Sequence, residues 1–115
     1  MRPIFLVIEV EQPEGLSSRK LVLETAKYNV VTAYSGKEGI ETAVRVPVDA
    51  AVVHAGLEDI PCEVIVRQLK SITPGMPIVV VSPNAAGCEG ADYVLSSYDP
   101  AALLEVLRQI VAKAS

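Results

Sequence analysis

The stretch "DAAVVHAGLED" (residues 49–59) joins an unbroken run of small and β-branched residues to a polar loop, with His54 at the junction. A short apolar run without polar alternation reads as a strand covered on both faces, as in a parallel sheet. "PIFLVIE" (3–9) and "PIVVVS" (77–82) read the same way, while "NVVTA" (29–33) and "ADYVL" (91–95) complete a set of five strands. Helical patterns lie between them. Ser35 followed by Glu38 makes a capping box, after which Ile40, Ala43 and Val44 are expected on one face until Pro47 stops the helix. Pro61 suits a first helical turn, and Ile65, Leu69 and Ile72 are spaced as one buried stripe before "TPGMP". Asp99 and Pro100 form an N-cap and N1 pair, with Leu103, Leu107 and Ile110 as the stripe of the final helix. A weaker pattern over 16–27 rests on Leu16, Leu23 and Ala26.

Strands alternating with helices predict an α/β protein, a three-layer sandwich with a five-stranded parallel sheet of flavodoxin-like order 2-1-3-4-5. In that topology the ligand crevice lies at the carboxyl ends of strands one and three. Glu9 and His54 both fall there, with Ser82 beside them at the end of strand four.

The 115 residues fit one domain, 1–115, with no linker or internal repeat. Half the residues are hydrophobic and 21% are charged, so the chain is no disordered tail, and a net charge of −4 argues against a nucleic-acid partner. The apolar run Ile4 to Ile8 is far below the ~20 residues of a membrane span, so neither a membrane partner nor a signal peptide is expected. Cys62 and Cys88 lack CxxC spacing, which favours free thiols in a reducing, cytoplasmic setting over a disulfide or zinc site.

Three segments carry a family resemblance. "FLVIEVEQPEG" resembles the opening strand and acidic loop of a receiver domain of bacterial two-component response regulators, the CheY-like family; "YNVVTAYSGKEGIE" resembles its second strand and helix, and "GADYVLSSYDPAALLEVL" its end. The resemblance covers essentially the whole chain. In that family an acid pair after strand one holds magnesium, an aspartate ending strand three accepts the phosphoryl group, a Ser or Thr ends strand four, and a lysine, usually followed by proline, ends strand five. Position by position, the resemblance places the acid pair at Glu9 and Val10, the phosphoacceptor at His54, the hydroxyl at Ser82, the lysine at Ser96 and the proline at Ser97. Tyr93 matches the aromatic that tracks the hydroxyl during activation.

Only Glu9 and Ser82 keep the expected chemistry. Acyl phosphate formation needs a carboxylate nucleophile, hard oxygen ligands for a divalent cation and a cation for the transferred group. Val10, His54 and Ser96 supply none of these, so no cofactor is expected, magnesium binding should be weak or lost, and no metal site or catalytic residue is assigned. Asp49 lies at the wrong end of its strand to serve as acceptor, whereas Glu58 and Asp59 occupy the loop beyond His54 at positions the sequence leaves open. His54 is expected to fill the vacated pocket and hydrogen-bond to Glu9, Ser82 or backbone. Phosphohistidine formation, or a soft metal pair of Glu9 and His54, is the sharper alternative. Gly36 and Gly39 read as a packing feature and not as a phosphate loop; Glu11, Pro13 and Glu14 read as the start of the first helix.

Only ten residues, 83–92, separate Ser82 from Tyr93, so the fourth helix, which receivers place there, should be shortened or missing. Apolar surface left uncovered, including Val64 and Val66, favours a protein partner or a homodimer. The sequence therefore reads as a stand-alone, degenerate receiver, a non-enzymatic pseudo-receiver in phosphorelay-type signalling that works through protein–protein interaction. An unorthodox phosphoryl acceptor and a small-ligand sensor at the strand-end crevice are the two alternatives.

Overall fold

The computed structural model describes residues 3–9, 28–82, 88–95 and 100–114. The strands are β1 (Ile4–Ile8), β2 (Asn29–Ala33), β3 (Ala50–His54), β4 (Ile78–Val81) and β5 (Tyr93–Leu95). Three helices occur among the described residues: α1 (Gly36–Arg45), α2 (Cys62–Ile72) and α3 (Pro100–Ala114). All strand pairings are parallel and the sheet order is β2-β1-β3-β4-β5. This is the flavodoxin-like arrangement anticipated from the alternation of elements.

The three fully apolar runs form the three central strands, because only a strand with a layer on each side can bury consecutive side chains. Alternate residues split between two cores. Leu6, Ile8, Ala51, Val53, Ile78 and Val80 face α1 and α2, where Ala43, Ile65, Val66 and Leu69 meet them. Phe5, Val7, Val52, Val79 and Val81 face the other way, onto Leu103, Leu107 and Ile110 of α3. Both stripes named for α2 and α3 are thus core stripes, with Ile72 half-buried at the end of its own.

Two helix faces differ from their expected composition. On α1 the buried residues are Gly36, Gly39, Thr42 and Ala43, while Val44 is 67% exposed. The helix lies so close to the sheet that small residues form its inner face: a Cβ at Gly39 would run into the Ile8 side chain, and one at Gly36 would lie 2.9 Å from Ile65 Cδ1. On α2, Val66 is not uncovered surface but buried, and Gly90 of the connection before β5 packs over it. Val64 is half-buried.

The expectation of two free thiols is corrected: Cys62 and Cys88 form a disulfide with a Cα–Cα distance of 6.0 Å. The fold brings the first residue of α2 against the connection between β4 and β5, a proximity across 26 residues that a spacing rule for local motifs cannot register. With it goes the thiol argument for a reducing compartment. Residues 88–92 form a turn and not a helix, as the short connection implied, while 83–87 lie outside the described residues. The helix over 16–27 and the readings of Val10, Glu11, Pro13, Glu14, Ser96, Ser97 and Asp99 also lie outside them. No helix among the described residues is long and apolar enough to cross a membrane.

Candidate functional site

Register puts three residues side by side at the carboxyl edge of the sheet. Ile8 pairs with Val53 and His54 with Val81, so Glu9, His54 and Ser82 leave β1, β3 and β4 at nearly one level. The backbone holds them there: Glu9 N–H donates to Ala33 O at 3.0 Å, Ala55 N–H to Val81 O at 3.0 Å, and Ser82 N–H to Leu95 O at 2.8 Å. Glu9 and Ser82 are buried, and His54 is half-buried at the mouth.

The imidazole turns toward its own loop. Gly56 N–H donates to His54 Nδ1 at 2.7 Å. An imidazole nitrogen that accepts an N–H carries no proton, so this contact fixes the neutral ring with its hydrogen on Nε2. The Nδ1 lone pair is therefore engaged by the loop backbone. The ring also lies over Gly56, where a Cβ would stand 2.7 Å from His54 Cε1.

Of the two acids in the loop beyond His54, Glu58 is exposed and Asp59 is engaged elsewhere. Asp59 turns to α1, its Oδ2 accepting from Lys37 N–H at 3.0 Å and its Oδ1 from Gly36 N–H at 2.9 Å. Those bonds, Lys37 first and Gly36 second, hold its carboxyl below its ordinary value of 3.8 against a smaller opposing effect of burial. Together with Ser35 Oγ, which accepts from Glu38 N–H at 3.0 Å, Asp59 satisfies three of the donors that the start of a helix leaves open. The capping role of Ser35 was readable from the S-x-x-E spacing, but that of Asp59 was not, because it reaches across 23 residues. Asp49 lies at the opposite end of β3, where its Oδ2 accepts from Ile4 N–H at 2.7 Å.

Tyr93 is half-buried on β5 and faces α3. Lys113 donates from Nζ to its hydroxyl at 3.3 Å and lies 5.8 Å from the ring centroid. Its ring is thereby tied to the last helix.

No protein-family model matches the chain. The transcriptional regulatory protein GlrR of Escherichia coli K12 is 26% identical over 85 residues, 74% of this chain but 19% of that protein, so the match spans about a fifth of the relative. A CheY-like receiver domain from Methanospirillum hungatei superposes with a TM-score of 0.87 at 22% identity, covering 98% of this chain and 96% of its own. The fold is that of a CheY-like receiver domain. A receiver from Methylobacillus flagellatus gives 0.81 at 23% identity, covering 96% and 99%. The receiver of a Pseudomonas aeruginosa sensor histidine kinase, with a magnesium ion coordinated in its active-site cleft, gives 0.80 at 20%, covering 97% and 99%.

Set against a magnesium-binding receiver, the described strand ends offer a different set of donors. Magnesium takes near-octahedral hard oxygen ligands, usually with one or two carboxylates. At the corresponding strand ends this chain has one carboxylate, Glu9, next to Val10, and an imidazole whose Nδ1 already accepts a hydrogen bond. No group of three or more His, Cys, Asp or Glu suited to a metal occurs among the described residues.

Proposed function

We propose that this receiver fold acts as a pseudo-receiver, a binding module of two-component-type signalling that takes no phosphoryl group at the strand-end position and binds magnesium weakly or not at all. The observation that carries the reading is the ring of His54, seated where a receiver keeps its acceptor and held through Nδ1 by Gly56 N–H. Phosphoryl transfer to a receiver requires an oxygen nucleophile, a bound cation and a positive side chain at one point. Here the nearby Asp59 is committed to capping α1, and the sequence has Ser96 at the lysine position.

Without a phosphoryl switch, the module works by presenting a surface to another protein, as a non-enzymatic partner or as one copy of a homodimer. Incubation with acetyl phosphate and magnesium, followed by intact-mass measurement, should leave the chain unmodified; a species heavier by one phosphoryl group would overturn the proposal. Restoring the acid alone, by His54→Asp, should still give little labelling, because neither the second metal-binding acid nor the lysine returns with it. Light scattering at high concentration tests the dimer, for which a monomeric mass is the opposing result.

A further inference from the structure

The disulfide lies where the fold is thinnest. Among the described residues, β5 has three residues and one neighbouring strand, β4, and Cys88 lies in the later half of the connection that leads into it. Apart from the covalent bond, the described part of that connection is held by Gly90 against Val66, by Ala91 against the core, by a pair of bonds in which Ile78 N–H donates to Asp92 Oδ2 at 2.8 Å and Asp92 N–H to Ile78 O at 3.0 Å, and by an exposed Lys70–Asp92 ion pair at 3.1 Å. Exposed pairs contribute little. The rest of the domain has no need of a staple, because a chain of this size with a core on each face of its sheet is large enough to fold on apolar burial.

We propose that Cys62–Cys88 is a reversible redox latch, closing the 88–92 connection and β5 onto α2 when oxidised and releasing them when reduced by a dithiol. The position of Cys62 suits it to exchange. It is the first residue of an eleven-residue helix whose N-cap, Pro61, makes no side-chain hydrogen bond, so a thiolate released at Cys62 lies at the positive end of the helix dipole. That favourable charge makes Cys62 the better leaving group of the two. An external thiolate attacks Cys88 Sγ and forms a mixed disulfide as Cys62 departs as thiolate and takes up a proton. The second thiol of the reductant then displaces Cys88, so that two electrons and two protons pass to the chain and the reductant becomes a disulfide. Closure is the reverse, with glutathione disulfide as oxidant. The two residues are only 9% and 6% exposed, which shields the bond from bulk thiols, so exchange proceeds as the 88–92 connection opens locally.

This inference goes beyond the signalling role proposed above and does not depend on it. The test uses the whole chain, equilibrated with oxidised glutathione and then with or without dithiothreitol, reading thiols by alkylation and mass and backbone protection by amide hydrogen exchange. The oxidised chain should have no alkylatable thiol. The reduced chain should have two, with exchange over 88–95 faster by more than about tenfold and that of β1 and β3 unchanged. Cys88→Ser should show the reduced pattern whether or not dithiothreitol is present. Free thiols after glutathione disulfide treatment, or equal exchange in the two states, would overturn the latch. So would protection lost across the whole sheet, or a Cys88→Ser chain that fails to fold, since either marks a structural staple.

Discussion

The two ends of the sheet use their polar residues differently. At the amino end, Asp49 and Asp92 each accept a strand N–H, from Ile4 and Ile78 respectively, and so fix where β1 and β4 begin. At the carboxyl end, where receivers of ordinary chemistry keep their acids, the one aspartate among the described residues, Asp59, caps a helix, and the strand ends hold Glu9, His54 and Ser82. All three described aspartates therefore serve the backbone. What the contrast teaches is that the described aspartates of this chain stand where the backbone needs a hydrogen-bond acceptor, while the end of β3 carries an imidazole.

The comparison can be broken at its amino end first. Asp92→Ala removes the acceptor for Ile78 N–H and the partner of Lys70, and should cost about 2 kcal/mol in urea unfolding. Asp49→Ala strips Ile4 N–H of its side-chain acceptor at a more exposed site and should cost about 1–2 kcal/mol by the same measurement. Asp59→Ala should cost about 1 kcal/mol, the usual effect of losing a helix cap. Its pH dependence sharpens the point. Because the folded state holds the Asp59 carboxyl below 3.8, its contribution is fully present above the unfolded-state value and is lost as pH falls through the folded one. The stability curves of the parent and Asp59→Ala chains should thus converge below about pH 4 in acid titrations followed by circular dichroism. Smallest of all, His54→Ala should shift stability by no more than about 1 kcal/mol, since the hydrogen bond it takes from Gly56 N–H lies at an exposed site. A larger loss at His54 than at Asp92 would reverse the assignment of structural and vacated ends.

Much of this architecture was legible because it rests on local patterns. Unbroken apolar runs can only be central parallel strands, and the stripe Leu103, Leu107 and Ile110 repeats at helical spacing. The position of His54 at a strand end was readable for the same reason. Other features depend on which elements meet. Val44 looked like a core residue because periodicity counts large side chains, whereas α1 approaches β1 so closely that Gly39 and Ala43 form the contact. Val66 looked surplus to its stripe, yet the turn at Gly90 covers it. The direction of the His54 ring, the cap from Asp59 and the pairing of Cys62 with Cys88 each depend on local loop geometry or a distant partner, which residue spacing does not encode.

The ring of His54 lying over Gly56 has a consequence for how this sequence can change. Gly56 has no left-handed backbone angle to protect, and the atoms that a Cβ there would meet belong to the imidazole above it. Histidine and glycine are therefore coupled: a methyl group at 56 obliges the ring to shift, whereas a smaller side chain at 54 lifts that demand. Exchanged together, the two positions should depart from additivity, as neighbours in contact do.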